Sequence, residues 1–165
     1  MMIRSIEISD AEAFVTLNQK LAQETEFLLM SPEEIVLSVQ QQEEKLNAMK
    51  SNENRIVFVA EVEENLIGFL GTTIFYPQKM KHAAHFAMAV LSSKKKMGVG
   101  TALLHAAEDW LKEKKVCRLE MTVMAHNIPA ISFYKKNGFS QEGVRRNAIA
   151  MNDQFYDELY MAKFL

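Results

Sequence analysis

Lys94 to Trp110 reads KKKMGVGTALLHAAEDW, and no other stretch narrows the choice of folds as much. A β-rich apolar run, HAAHFAMAVL (His82 to Leu91), leads into it, and an amphipathic helix leads out. Glycine weakens a helix by roughly 1 kcal/mol relative to alanine, so two glycines a single residue apart at a helix mouth need a reason. A strand, a glycine-bearing turn and a helix start supply one. The unpaired N–H groups of the first turn point outward, and the helix dipole puts partial positive charge there. Lacking β-carbons, Gly98 and Gly100 let an anion such as a phosphate reach the backbone, and Lys94, Lys95 and Lys96 add charge beside it. The same residues also read as a plain turn with a solvated lysine run, and the spacing alone does not choose between the two. Two common phosphate loops are excluded. A nucleotide P-loop needs Gly-Lys-Ser/Thr at the helix start, where this chain has Gly100-Thr101, and the dinucleotide fingerprint needs a third glycine where this chain has Leu103.

Around this element the hydrophobic period changes several times. IRSIEI (Ile3 to Ile8) alternates as a half-buried strand does. SDAE follows, with Ser9 as N-cap and Glu12 completing a capping box, and Phe14, Leu17 and Leu21 then share one helical face. SPEE predicts a second start: Ser31 caps, Pro32 takes the first helical position and Glu34 closes the box. Ile35, Val39, Leu46 and Met49 form that helix's apolar stripe. RIVFVAEV (Arg55 to Val62) and LIGFLGTTIFY (Leu66 to Tyr76) read as a hairpin joined by EEN, with Gly68 and Gly71 marking a bulge or a close backbone approach. The helix from Gly100 carries Leu103, Leu104, Ala107 and Leu111 on one face, with His105, Glu108, Asp109 and Lys112 mostly on the other. RLEMTV (Arg118 to Val123) alternates again. Asn127 then caps a short helix, IPAISFYKK, which Gly138 ends at the C′ position. Weaker strands near Gln141 to Ala148 and Phe155 to Lys163 complete the pattern. With no repeat, linker or low-complexity segment, residues 1–165 are expected to form one mixed α/β domain with a central sheet.

Composition trims the list of functions. At 48% hydrophobic and 24% charged residues the chain is of ordinary globular type, and a net charge of −2 argues against nucleic acid as the main ligand. Cys117 is the only cysteine, which leaves no intrachain disulfide and no thiolate metal cluster. The apolar runs are too short to span a bilayer and the first residues lack a signal-peptide core, so a cytoplasmic protein without membrane partners is expected. The eleven methionines are read as core filling rather than metal binding, and no metal is expected. The KEKK run (Lys112 to Lys115) reads as a solvated face and Trp110 as packing at the sheet edge.

VLSSKKKMGVGTALL resembles the acetyl-CoA signature of the Gcn5-related N-acetyltransferases, Val-x5-(Arg/Gln)-x-x-Gly-x-(Gly/Ala), with Lys95 in the Arg/Gln place and Gly98 and Gly100 following. HNIPAISFYKKNGFSQEG is similar to the same family's Asn-x-x-Ala-x-x-(Phe/Leu)-Tyr-x-x-x-Gly-Phe segment, with Asn127, Ala130, Tyr134, Gly138 and Phe139 in register. YDELYMAKFL is similar to a closing strand of one branch. Two motifs in the right order are far more specific than either alone. The resemblance implies an α/β domain whose mixed, mostly antiparallel sheet splays at the acetyl-CoA site and is flanked by about four helices. It implies that Met97, Gly98, Val99, Gly100 and Thr101 hold the pyrophosphate, that Met88, Ala89 and Val90 meet the pantetheine arm, and that Lys95, Lys96, Asn127, Ala130 and Tyr134 also face the coenzyme.

Acetyl transfer requires a neutral amine, and a free amine has a pKa near 10, about that of lysine, so a proton must leave first. By the resemblance Tyr134 donates to the departing sulfur, its alternative role being a core aromatic. Asn127 is equally explained as a helix cap. His85 and His126 titrate in the right range for a base but are equally ordinary histidines, while Glu120, charged in mid-strand, is the better candidate base. Glu24 and Glu26 in ETEF are expected at the mouth that admits a cationic acceptor. The acceptor is expected to be a small primary amine. A peptide N-terminus, a non-catalytic acyl-CoA-binding module and a homodimer all stay open at this level.

Overall fold

The computed structural model describes residues 1–35 and 38–165. The described residues contain one seven-stranded sheet: β1 (Met2–Ser5), β2 (Arg55–Val62), β3 (Asn65–Ile74), β4 (Ala83–Val90), β5 (Arg118–Met124), β6 (Ser140–Met151) and β7 (Gln154–Phe164). Their order across the sheet is β1-β2-β3-β4-β5-β7-β6. Four α-helices accompany them: α1 (Ala11–Glu24), α2 (Val39–Lys50), α3 (Val99–Glu113) and α4 (Ile128–Lys136). Every neighbouring pair is antiparallel except β4 with β5. That pair follows from the crossover through α3, because a parallel neighbour must be reached over one face of the sheet.

The period-2 patterns form strands where the sequence puts them, except that the strand expected over Ile3 to Ile8 ends at Ser5 and Ile8 opens a 3-10 turn. The β2–β3 hairpin turns on Glu63 and Glu64, both at positive φ (49° and 62°), the geometry that matches strand twist in a two-residue loop. Two cores result. Leu103, Leu104, Ala107 and Leu111 of α3 pack with Leu70, Phe86, Leu119 and Tyr134 on one face, and Trp110 lies against this cluster. Phe14, Leu17 and Leu21 of α1, with Leu46 of α2, cover Val59 and Leu66 on the other.

Three sequence expectations need correction. The first helix is not capped at Ser9: a 3-10 turn covers Ile8–Asp10, α1 begins at Ala11, and the capping contact is the Glu7 N–H donated to Asp10 Oδ2 at 2.8 Å. SPEE makes the contact expected of it, Ser31 N–H to Glu34 Oε2 at 2.8 Å, but this closes a turn and no helix follows directly. The helix starts instead at Val39, where Ser38 and Gln41 form a reciprocal box (Gln41 N–H to Ser38 Oγ, Ser38 N–H to Gln41 Oε1). The stretch of the predicted helix at Val36 and Leu37 lies outside the described residues. Finally, Glu108 is not on a solvated face. It is buried, and Lys163 of β7 donates to its carboxylate at 2.6 Å, clamping α3 to the sheet.

Gly68 settles the question its position raised. The β2–β3 register slips between Ala60 and Glu61, opposite Gly68 and Leu66, which is a bulge, and a β-carbon on Gly68 would sit 2.9 Å from the Ala89 carbonyl oxygen. A β-carbon on Gly71 would meet only Val57 Cγ2, at 3.4 Å. Gly68→Ala is therefore expected to cost about 1–3 kcal/mol by overpacking against backbone that cannot yield. Gly71→Ala should cost less. Urea denaturation of the two variants checks this, and equal losses would refute the close approach as the reason for Gly68.

Candidate acetyl-CoA and acceptor site

The sheet contains an opening, and its cause is visible in the pairing. β4 and β5 are joined by only three residue pairs, Ala83 with Arg118, Ala84 with Leu119 and His85 with Glu120. Beyond them β4 stays paired to β3 through Val90, and β5 stays paired to β7 through Met124, so the two strands diverge. Met88, Ala89 and Val90 thus have a strand on the β3 side and none on the other. An unpaired strand edge offers backbone donors and acceptors to whatever extended chain lies along it.

At the far end of β4 the chain passes a 3-10 turn (Ser92–Lys94) and enters α3. Lys96 has φ 64° and Gly98 φ 79°, both left-handed, and Gly98 is the N-cap. The first helical bond runs from Ala102 N–H to the Gly98 carbonyl, so the N–H groups of Val99, Gly100 and Thr101 precede the ladder, and no side chain among the described residues caps them. No acidic residue lies in this first turn, and Lys95, Lys96 and Met97 are exposed around it. The two glycines do different jobs. A β-carbon at Gly98 would meet nothing within 4 Å, and what demands glycine there is the positive φ. At Gly100 a β-carbon would meet the Phe133 ring at 3.2 Å and Met88 Cε at 3.6 Å, so its absence lets α3, α4 and the end of β4 converge.

Asn127 caps α4, its Oδ1 accepting the Ala130 N–H at 3.3 Å, and Gly138 at φ 88° turns the chain out of it. Two turns on, Tyr134 is buried against Phe86 (ring centroids 5.9 Å), Phe133 (5.3 Å) and Phe139 (5.7 Å). Among the described residues its hydroxyl has no hydrogen-bond partner, yet it is not sealed from solvent as a buried orphan would be. Desolvation by these rings pushes its pKa up to about 12, so it stays a protonated donor at neutral pH.

The other face carries the remaining candidates. His85 and Glu120 are register partners at the base of the opening. Burial first, and the Arg55 charge second, hold the His85 imidazole below its ordinary value, while Glu120 opposes them. Glu120 accepts from Arg118 Nε at 2.7 Å, and Arg118 also donates to Glu142 at 2.9 Å. Glu24 and Glu26, expected together, are parted. Glu24 accepts the Ser92 N–H at 2.7 Å, tying the end of α1 to the turn before α3. Glu26 lies 3.7 Å from His126 Nε2. His126, just past β5, is flanked by Phe27 (5.2 Å) and Tyr156 (4.8 Å), so the segment after α1 meets the final hairpin across the end of β5.

Sequence reasoning missed three polar residues on this face. Thr122 on β5 donates to Glu158 Oε1 at 3.0 Å, and Arg145 on β6 donates to Glu158 Oε2 at 2.6 Å. A glutamate among the alternating residues of a terminal strand carries no local sign of being buried. Its partners stand 36 and 13 residues away.

Comparison with known proteins agrees with this fold. The model of the acetyltransferase (GNAT) family matches residues 20–139, and the chain belongs to that family. The L-amino acid N-acetyltransferase AaaT of Escherichia coli (strain K12) is 34% identical over 109 residues, a match that spans 64% of this chain and 65% of that relative. The GNAT-family acetyltransferase from Streptococcus pneumoniae superposes with a TM-score of 0.92 at 26% identity, over 99% of both chains. The Salmonella typhimurium protein yncA, whose structure holds its cofactor acetyl-CoA, matches at 0.84 and 14% identity over 99% of this chain and 93% of its own, a likeness of fold.

The Tyr134 environment has a measurable consequence. Its pKa is about 12 when folded and near the ordinary value of 10.0 when unfolded, so between these pH values the folded chain binds more protons than the unfolded one. Its contribution is therefore whole below pH 10.0 and is lost as pH rises toward 12. The unfolding free energy of the wild type relative to Tyr134→Phe should be level up to pH 10.0 and then fall. A level difference throughout would show that the phenol is not desolvated.

Proposed function

We propose that this chain transfers the acetyl group of acetyl-CoA to a primary amine of a small molecule, by direct attack of the amine on the thioester. The observation that carries the reading is the protonated Tyr134, without a hydrogen-bond partner among the described residues, beside an opening whose far end is a helix mouth with no side-chain cap among those residues. The donor set fits the coenzyme. Val99, Gly100 and Thr101 N–H groups, with Lys95, Lys96, Met97 and Gly98 around them, would hold the pyrophosphate at a helix turn that contains no acidic residue of its own. Met88, Ala89 and Val90 would pair with the pantetheine amides, and Asn127 and Ala130 would border its far side.

Acetyl-CoA supplies an activated carbonyl and a thiolate leaving group. The neutral amine forms the C–N bond as the C–S bond breaks, and the Tyr134 O–H donates to the sulfur that leaves. Glu120 and the neutral His85 flank the base of the opening and are the groups best placed to take up the amine proton, directly or through water. Glu26 would stand at the acceptor mouth, with Glu24 bracing the turn behind it. A protein N-terminus is the second acceptor reading, and a module that binds acyl-CoA without turnover is the third.

Acetyl-CoA is expected to raise the melting temperature, since a ligand that binds only the native state stabilises it. Gly98→Asp, which sets a negative charge at the helix mouth, should abolish the shift. A normal shift in the folded variant would remove the pyrophosphate assignment. Thiol release measured over a panel of amines separates an enzyme from a binding module. In the same assay Tyr134→Phe should lower turnover by roughly 10- to 1,000-fold while leaving acetyl-CoA binding unchanged. Wild-type turnover with chemistry rate-limiting would return Tyr134 to a packing role.

A further inference from the structure

On the face opposite α3 and α4 lies a charged pair that the chemistry above does not use. Glu158 of β7 is 8% exposed, and among the described residues each of its oxygens accepts one bond, from Thr122 of β5 at 3.0 Å and from Arg145 of β6 at 2.6 Å. Glu158 is paired in register with Met124 yet bonds to Thr122, so its side chain leans along the sheet toward the closed end of the opening. Thr122 itself is two residues past Glu120, the last β5 residue that pairs with β4, and so stands on the margin of the opening. Arg145 spans the third strand with its guanidinium carbon 5.7 Å from the Tyr160 ring, and 45% of its side chain is exposed. Gly143, the register partner of Tyr160, has no side chain to cover either of them.

A buried carboxylate is costly unless it is paired and bonded, and a single partner at each oxygen leaves a lone-pair site on both unused. Arg145 offers five N–H donors, and among the described residues its side chain makes one hydrogen bond. Spare acceptors on one partner and spare donors on the other, a hydrogen bond apart, are complementary to a molecule bearing ammonium and carboxylate on one carbon. We infer that Glu158 and Arg145 form the acceptor subsite for a free α-amino acid, with the ammonium on Glu158 beside Thr122 and the carboxylate on the outer edge of Arg145. The inference rests on the acetyltransferase reading and narrows it. A simple alkylamine fills only the Glu158 half. A peptide N-terminus brings an amide where Arg145 is set for a carboxylate.

Kinetics of the wild-type enzyme test this without any change to the fold. Free amino acids are compared with their α-carboxamides and with the amines that lack the carboxyl group. The acids are expected to have kcat/KM higher by roughly 10-fold or more, because a site built for a charged group rejects its neutral analogue. Amides or amines used as well as the acids across the panel would overturn the subsite and leave acetyl transfer standing. Absence of turnover with every amine, acetyl-CoA being bound, would overturn both. Arg145→Gln should narrow the ratio of acid to amide toward one, and an unchanged ratio would remove Arg145. Glu158→Gln should lower kcat/KM for every amine with the acetyl-CoA melting shift intact, and wild-type kinetics in that variant would remove Glu158.

Discussion

Everything distinctive in this molecule follows from a pairing that stops early. β4 and β5 share three residue pairs, and each strand then keeps its other neighbour and turns away from its partner. Hydrogen bonds from the Cys117 and Arg118 N–H groups to the His82 carbonyl fix the closed end. On one face the divergence is filled by the rings of Phe86, Phe133, Tyr134 and Phe139, which pack edge to face or tilted. On the other it is bordered by polar side chains. The divergence thus leaves an unpaired backbone edge on β4, with Tyr134 of α4 packed against Phe86 on one face and the charged side chains of β5 on the other.

Much of this was legible in the amino-acid order because the signals were local. The β-rich run Arg55–Val62 and the apolar run before Lys94 became β2 and β4, and Asn127 and Gly138 bound α4 as their chemistry predicts. The start of α2 was not legible. Ser31 with Glu34 and Ser38 with Gln41 carry the same capping pattern, and both make the expected contact, but only the second is followed by a helix. A local signal cannot rank two such sites. Glu108 and Glu158 fail for a different reason: each reads as a polar residue on an amphipathic element until a cation from a distant strand neutralises it.

The paired glycines show how a correct location can conceal two causes. Gly98 is demanded by the sign of a backbone angle, and Gly100 by an aromatic ring 33 residues further along the chain. Sequence reasoning treated both as space left for an anion. The helix mouth is open, but the space at Gly100 is taken up by the protein itself, and it is this contact that brings Met88, α3 and α4 to one point.

The bond from the Ser92 N–H to Glu24 has a bearing on how new specificities arise in this scaffold. The segment that follows α1 meets His126 at the end of β5 through Glu26 and Phe27, and it is anchored two residues earlier to the turn that leads into α3. Insertion or deletion within that segment would pull on the turn before α3 as well. Position 24 is therefore a fixed post from which the variable part of the segment must start. The usable diversity lies downstream of it.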